Sequence, residues 1–270
     1  LYEYFKKKYN YSIIGLNSDN CNLLNFSKCK QVLKKNTREK CTIIFLSTFG
    51  RFPNDDYSVY LKNTTMIMNF INSINKKNID HLIFFSSTCI YGRPPIKKII
   101  NEDVHCKPNG YYGLSKFVSE ELLKLEFNNN LTIVRIPGVY GENDSNKSII
   151  SSFIDKAYSN KSIMIYDGGK VLRDYVYVSD VVQIIDKIIL KKIFTTINIA
   201  TGKSKTIKDI IKIIEKFSKN KIKIKNIKTN HAQFDMKFNI LKLRKYFKNY
   251  QFTTLDSGIS KILNYKKNYK

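Results

Sequence analysis

The alternation of short apolar runs with amphipathic helical stretches is the feature that most constrains this chain. Apolar runs of strand length lie at 11–16, 42–46, 81–85 and 131–136, and helical patterns between them cover, for example, 57–76 and 112–127. Strands that are apolar on both faces and joined by helices are typical of a parallel sheet covered on both sides. The pattern predicts a doubly wound, Rossmann-like α/β fold, whose ligand sites lie at the carboxyl ends of the strands.

The pattern becomes less regular after residue 140, where a smaller C-terminal portion begins. Short strands are predicted near 162–165 and 196–199, and helices from about 180 and from 207. Thr206 and Asp209 have capping-box spacing at the start of the second of these helices. Lysine and isoleucine alternate over much of 221–227, which predicts a half-buried strand with its lysines facing solvent.

The chain is strongly basic, with 47 Lys and Arg against 22 Asp and Glu, a net charge of +25. A charge of this size invites a nucleic-acid-binding interpretation. The lysines, however, are scattered through every segment, and no arginine-rich stripe with interleaved aromatic residues is present. We therefore interpret the charge as compositional drift and expect no nucleic-acid partner, although a positive field favours a substrate that carries a diphosphate.

Cysteine usage and hydropathy restrict the location of the protein. The five cysteines are irregularly spaced without a CxxC pair, which predicts free thiols rather than a disulfide framework or a zinc site. No apolar run approaches the roughly 18 to 20 residues that a membrane span needs, and no signal peptide is recognisable. We expect a cytoplasmic protein without a membrane partner.

Tyr112 and Lys116 form the strongest candidate for chemistry. They lie four residues apart, on one face of a predicted helix. A phenol ionises near pH ~10, so it acts as a base near neutrality only if its phenolate is stabilised, for example by a nearby cation. Taken alone, the spacing fits a surface pair on an amphipathic helix equally well.

A second feature lies about 25 residues upstream of Tyr112. The segment 82–92, LIFFSSTCIYG, reads as an apolar strand that ends in a cluster of hydroxyl side chains. Strand ends of this kind are where sites occur in a parallel sheet. A hydroxyl there, such as that of Ser87, is placed to hydrogen-bond a substrate oxygen together with Tyr112.

Further motifs follow in a fixed order. They are IFLST at 44–48, Asn63 and Asn69 in one helix, RIPGVYG at 135–141, GGKVLRDYVYVSD at 168–180 and NIATG at 198–202. This ordered set resembles the extended short-chain dehydrogenase/reductases, the NAD-dependent epimerase/dehydratase family of nucleotide-sugar enzymes, from the first residue to about Leu263. The resemblance implies a cofactor-binding portion over 1–140 with 171–200, and a substrate-binding portion over 141–170 and 201–270.

By this resemblance, Tyr112 is the catalytic base, Ser87 is its hydroxyl partner, and Lys116 holds the nicotinamide ribose and lowers the pKa of the tyrosine. Arg173 resembles the arginine that grips the nucleotide diphosphate, and the alternative for it is a structural ion pair with Asp174. The resemblance implies cofactor contacts at Asn22, Ser47, Thr48, Asn63, Tyr112, Lys116 and Pro137, and substrate contacts at Ser87, Thr88, Cys89 and Arg173.

The chain departs from the family pattern in three places, one of which is Gly138, where many relatives carry a substrate-binding asparagine. The glycine-rich loop and the strand before it are not present, so we expect the sequence to be part of a longer gene product whose upstream DNA encodes them, and expect weaker cofactor binding without them. In addition, Ser87-Thr88-Cys89 replaces the threonine-aspartate-glutamate run of the 4,6-dehydratases, which disfavours dehydration. The cofactor is NAD or NADP, with NAD favoured because no arginine follows Asn17 to bind a 2'-phosphate.

The sequence therefore predicts a nucleotide-sugar 4-epimerase that acts through a transient 4-keto sugar. A 4-keto nucleotide-sugar reductase is the close alternative, and a non-catalytic cofactor-binding relative or a nucleic-acid-binding module is remote. We expect a nucleotide-diphosphate sugar as substrate and a homodimer as the assembly. The three histidines, His81, His105 and His231, are too dispersed to predict a metal site.

Overall fold

The computed structural model describes residues 1–94, 98–127, 129–144, 148–229 and 234–268. Within them, the helices are α1 (Tyr2–Lys8), α2 (Phe26–Asn36), α3 (Tyr57–Ser73), α4 (Tyr111–Glu126), α5 (Ile149–Tyr158), α6 (Val178–Leu190), α7 (Ile207–Ser218), α8 (Leu241–Tyr246) and α9 (Leu255–Asn268). The strands are β1 (Cys41–Phe45), β2 (Ile79–Ser87), β3 (Ile99–Ile100), β4 (Leu131–Ile136), β5 (Gly138–Tyr140), β6 (Ile163–Tyr166), β7 (Leu172–Arg173), β8 (Tyr175–Tyr177), β9 (Thr196–Asn198), β10 (Lys205–Thr206), β11 (Ile224–Ile227) and β12 (Lys237–Phe238). Short 3-10 helices cover Lys76–Asn78, Thr88–Tyr91 and Asp167–Gly169.

The main sheet has the strand order β1-β2-β4-β9, and β1 pairs with β2 in parallel. Strand β4 is buried along its whole length, and β2 is buried at most positions, as expected of parallel strands covered on both faces. The predicted doubly wound α/β class is therefore confirmed. Two-stranded ladders complete the described strands: β3 with β12, β5 with β8 and β6 with β11 run parallel, and β7 with β10 runs antiparallel.

Two predicted strands are wrong in whole or in part. Residues 11–16 form no strand, because none of the described strands pairs with them and a strand requires a neighbour for its backbone groups. The strand predicted over 221–227 is observed only as β11, and its first three residues are exposed rather than alternately buried. Ile224, for example, is 45% exposed.

The chain divides into two compact units, of which the first comprises residues 1–93, 105–135 and 184–197. Its core is formed by apolar residues of α2, β1, α3, β2, α4 and β4, among them Phe45, Phe70 and Phe84, whose rings contact one another. Helix α2 packs on α3, and α3 packs on α4. Helix α1 is held on the last part of α6, where the carboxylate of Asp186 accepts hydrogen bonds from Lys8 and Tyr9.

The second unit comprises residues 94–104, 136–183 and 198–270. Its core contains the apolar faces of α5, α7 and α9, with Tyr140 and Tyr177 in edge-to-face contact. Helix α7 begins where the sequence predicts it, because the Thr206 hydroxyl accepts from the amide of Asp209 at 3.0 Å. The two units are distinguished by their internal packing alone. The division into a cofactor-binding and a substrate-binding portion therefore stays a prediction.

No helix in the described residues combines the length and the apolar character needed to cross a membrane. All five cysteines are free thiols, as predicted.

His81 makes the first unit sensitive to pH. Its ring is 3% exposed, Nε2 lies 2.7 Å from the Thr132 hydroxyl, and Nδ1 has no hydrogen-bond partner among the described residues. Burial lowers the pKa of this imidazole from 6.5 to about 4. Because the folded pKa lies below the unfolded one, the stability that neutral His81 contributes is complete above the unfolded pKa and is lost as the pH falls towards the folded pKa.

We therefore expect the free energy of unfolding to fall by about 1 to 2 kcal/mol between about pH 7 and pH 5, from this residue alone. Urea titrations at both pH values measure it. In His81→Asn this part of the pH dependence should disappear, whereas His105→Asn, a change at an exposed loop position, should retain it. Equal pH dependence in wild type and His81→Asn would rule out this role.

Candidate active site

The candidate site in the first unit is assembled where β2 ends. The chain passes from Ser87 directly into the 3-10 helix Thr88–Tyr91, and the Ser87 hydroxyl caps this turn by accepting from the amide of Cys89 at 3.2 Å. Helix α4 lies against the same turn. A Cβ at Gly113 would stand only 2.7 Å from the carbonyl oxygen of Cys89, so glycine at this position permits the close approach that brings Tyr112 to the strand end.

Asp55 fixes the start of α4. Its carboxylate accepts from the backbone amide of Tyr112 at 2.7 Å, at a helix end where the capping residue Gly110 has no side chain to do so. A negative charge is favourable at a helix N-terminus. Asp55 therefore orients the first turn of α4, and with it the phenol of Tyr112.

The phenol of Tyr112 lies among groups from two segments of the first unit, the end of β2 and the loop after β1. Burial, with a smaller contribution from Cys89, raises the pKa of Tyr112 to about 12. Hydrogen bonding by Ser87 and Thr48 and the charge of Arg51 act in the opposite direction and lower it. The structure thus brings Tyr112, Ser87 and Thr48 together, as a base and its hydroxyl partner require, but the phenol is protonated near neutral pH in this state.

Lys116 is directed at the backbone and not at the phenol. Its ammonium donates to the carbonyl oxygen of Phe85 at 2.8 Å and lies over the Phe84 ring, 4.9 Å from the ring centroid. The side chain is 3% exposed, and burial lowers the pKa of Lys116 to about 7, against a smaller opposing effect of Glu120. Lys116 thus lies beside the end of β2, and its contact with the nicotinamide ribose stays a prediction.

Asn63 holds the loop that follows β1. The residue is 5% exposed; its amide oxygen accepts from the backbone of Phe49 at 2.7 Å, and its nitrogen donates to the Phe49 carbonyl and to the Ser115 hydroxyl, each at 3.0 Å. Thr48 also donates to this amide oxygen, at 3.4 Å. Asn63, which is predicted to contact the cofactor, thus uses its polar atoms to position the loop after β1. Ser47 and Thr48, predicted to line the cofactor, are exposed at the end of β1.

Asn22 lies in the exposed loop before α2, where its side-chain oxygen accepts from the amide of Leu24 at 3.0 Å. Asn69 on α3 donates to the carbonyl of Leu23 at 2.8 Å and so ties this loop to the helix layer. Asn22 therefore lies on the surface of the first unit, and these two hydrogen bonds fix the backbone turn that it begins.

Of the remaining predicted residues, Thr88 is buried in the 3-10 helix after β2, and Pro137 and Arg173 belong to the second unit. Pro137 is half-buried between β4 and β5. The guanidinium of Arg173 donates to the carbonyl oxygens of Leu172 and Phe234 and lies over the Phe234 ring, 5.0 Å from the ring centroid. The carboxylate of Asp174 caps the turn at 201–202, accepting from two backbone amides and the Thr201 hydroxyl.

The model of the NAD dependent epimerase/dehydratase family matches residues 1–200 of the chain. The chain belongs to this family.

Curated relatives within the family include nucleotide-sugar epimerases and reductases. The chain is 34% identical over 160 residues to a putative UDP-glucose 4-epimerase of Methanocaldococcus jannaschii, covering 57% of this chain and 52% of that protein. It is 30% identical over 192 residues to dTDP-4-dehydro-6-deoxyglucose reductase of Escherichia coli, covering 67% and 60%. The chain thus spans half to three fifths of the length of these two relatives.

Solved structures of the family share the fold. The structure of RMD from Pseudomonas aeruginosa complexed with NADPH has a TM-score of 0.83 at 16% identity, over 99% of this chain and 94% of that one. The UDP-glucose 4-epimerase of Thermotoga maritima with UDP-glucose has a TM-score of 0.79 at 18% identity, over 92% and 83%. At these identities, the likeness establishes the fold.

Sequence reasoning missed a buried ion pair beneath the candidate site of this family member. Glu120, which is completely buried, receives three hydrogen bonds of 2.7 to 3.2 Å from the guanidinium of Arg135. Ser86 also donates to Glu120, and Arg135 donates to the Tyr91 hydroxyl at 3.0 Å. The signal was present in the sequence, because Glu120 follows Lys116 by four residues on the same helix and Arg135 interrupts an otherwise apolar strand.

Arg51 and Asp55 were missed as well, because neither belongs to a motif and both lie in a loop. No group of three or more metal-ligating side chains occurs in the part of the chain that the structure describes. Of the three histidines considered, His81 is buried in β2, His105 is exposed, and His231 lies outside the described residues.

Proposed function

We propose that the protein interconverts nucleotide sugars that differ in configuration at C4, by oxidising the C4 hydroxyl to a ketone and reducing it again. The observation that carries this proposal is the placement of the Tyr112 phenol beside Ser87 at the carboxyl end of β2. These two groups meet the needs of hydroxyl oxidation, since the phenolate accepts the proton while the serine hydroxyl donates a hydrogen bond to the same oxygen.

The polar groups around this point fit a nicotinamide dinucleotide. Ser47 and Thr48 present hydroxyls at the carboxyl end of β1, and Lys116 presents an ammonium beside β2, where dinucleotides bind in such sheets. Ammonium and hydroxyl groups of this kind are donors for ribose hydroxyls and phosphates. A bound nicotinamide would supply the acceptor and donor of the hydride; NAD is favoured over NADP.

Side chains of the protein transfer the proton and orient the sugar. Tyr112 takes the proton of the C4 hydroxyl on oxidation and gives it back on reduction, while Ser87 holds the oxygen in both directions. Arg173, in the second unit, supplies a guanidinium suited to the diphosphate. Thr88 and Cys89 extend the same strand end and are the proposed neighbours of the sugar.

A 4-keto nucleotide-sugar reductase is the second candidate, and the similarity to the Escherichia coli reductase favours it. The same groups would then act once, with Tyr112 as the proton donor. The cofactor balance separates the two reactions. We expect the full-length protein, given a panel of UDP-, GDP- and dTDP-sugars, to interconvert one C4 pair while the total reduced nicotinamide stays constant. Stoichiometric oxidation of NAD(P)H with a 4-keto sugar, and no isomerisation of any saturated sugar, would overturn the epimerase proposal.

We propose a homodimer as the assembly and the cytoplasm as the location. Exposed apolar side chains on the adjacent helices α3 and α4 support the first, notably Met68 at 54% and Leu125 at 81% exposure. Free thiols at all five cysteines suit a reducing compartment and support the second. A monomeric mass in light scattering, or recovery in a membrane or secreted fraction, would contradict these two proposals respectively.

A further inference from the structure

The loop between β1 and α3 contains a cationic side chain, that of Arg51, close to the candidate site. The loop residues 46–56 are exposed, yet their path is fixed at Phe49, whose backbone donates one hydrogen bond to buried Asn63 and accepts another from it. Arg51 follows two residues later. Its Nη1 lies 3.7 Å from the sulfur of Cys89, the residue that follows Thr88 at the end of β2.

The guanidinium of Arg51 is not neutralised by a carboxylate. No carboxylate oxygen lies within 4.0 Å of it in the described part of the chain, and its contacts there are the Cys89 sulfur and the Phe52 ring, whose centroid is 5.1 Å away. A guanidinium has five N–H donors and keeps its charge at every pH that a protein tolerates. Arg51 therefore presents a positive charge without a carboxylate partner within 4.0 Å, on the same loop whose Asp55 binds the backbone amide of Tyr112.

The groups that face the phenol come from two segments. Thr48 and Arg51 approach from the loop after β1, and Ser87 and Cys89 approach from the end of β2. Asp55 binds the backbone amide of Tyr112 and not its ring.

On α4 itself, Lys116 donates to Phe85. The charge of Arg51 lowers the pKa of Tyr112, a direction that favours the phenolate.

We propose that Arg51 is a positioning residue of this site, whose guanidinium stabilises the phenolate of Tyr112 while the phenolate accepts the C4 proton. By the family resemblance, Lys116 is expected to stabilise the phenolate, but its ammonium donates to the carbonyl of Phe85 here. Arg51 takes this electrostatic role instead. The proposal rests on the proposed function. It does not require Arg51 to contact the sugar.

The first test measures the phenol directly and requires no turnover. A fluorinated tyrosine, whose phenol is more acidic than that of tyrosine, is incorporated at position 112 of the full-length protein and titrated by fluorine NMR. We expect Arg51→Met to raise the midpoint by about half a unit to one unit, the size of a partly solvated charge interaction. Arg51→Lys should preserve at least half of the effect, because the charge remains.

Arg38→Met is the matched control, since it removes the same charge from an exposed position before the amino end of β1. Its midpoint should equal that of wild type. A midpoint in Arg51→Met equal to that of Arg38→Met would overturn the proposal. This holds whether or not the protein turns over any nucleotide sugar, so the result is independent of the proposed function.

The second test is the pH profile of kcat/KM with a substrate found in the cofactor-balance assay. In Arg51→Met the acid limb should move to higher pH by the shift that NMR measures, so that activity on that limb falls by about 3- to 10-fold. KM at a pH above the limb should change little. An unchanged limb with a raised KM would show that Arg51 binds the substrate instead, and would overturn the proposed role.

Discussion

Replacing Tyr112 by phenylalanine should lower kcat by at least about 100-fold, because it removes the group that transfers the proton and leaves the ring in place. The dissociation constant for the nucleotide sugar should change little, since the phenol is proposed to act on the reacting oxygen and not on the nucleotide. Steady-state kinetics and calorimetric titration of the full-length protein measure the two quantities separately.

The matched control for this substitution is Tyr111→Phe. Tyr111 is the preceding residue of α4, is 42% exposed and contacts the ring of Tyr57. Loss of its hydroxyl should leave kcat within about twofold of wild type, as for surface changes away from the chemistry. Wild-type turnover in Tyr112→Phe would remove Tyr112 from the mechanism, and with it the basis of the proposed function.

Neutralising Glu120 should destabilise the first unit by about 3 to 5 kcal/mol, because the substitution Glu120→Gln leaves the buried guanidinium of Arg135 without its counter-charge. The side chains of both residues are at most 4% exposed, so water does not screen this pair. Urea unfolding of wild type and variant gives the difference in the free energy of unfolding.

Two further variants make this prediction specific. Glu121→Gln removes a neighbouring carboxylate that pairs with Lys124 on the surface, and should cost less than about 1 kcal/mol. The double variant Glu120→Leu with Arg135→Met replaces the pair by apolar side chains and should be closer in stability to wild type than Glu120→Gln is. If Glu120→Gln were as stable as Glu121→Gln, the ion pair would not be a determinant of the fold.

Local pattern sufficed for the strands and helices that carry the candidate site, namely β1, β2, α3 and α4. Hydrophobic periodicity predicted β1, β2 and β4 to within two residues at each end, and the start of α7, because period and capping are properties of neighbouring residues. The same local logic placed Tyr112 at the start of a helix and Ser87 at the end of a strand. Their convergence followed from the rule that sites lie at the carboxyl ends of parallel strands.

Tertiary packing decided what local pattern could not. Residues 11–16 are apolar enough for a strand but have no strand partner among the described residues, and pairing is a property of two segments. The partner of Lys116 depends on how α4 packs against β2. The approach of Arg51 and the cap that Asp55 provides depend on how the loop after β1 folds towards the end of β2 and the start of α4. The Glu120–Arg135 pair likewise joins α4 to β4, 15 residues apart. Such contacts arise from the packing of segments that are distant along the chain, which no local period encodes.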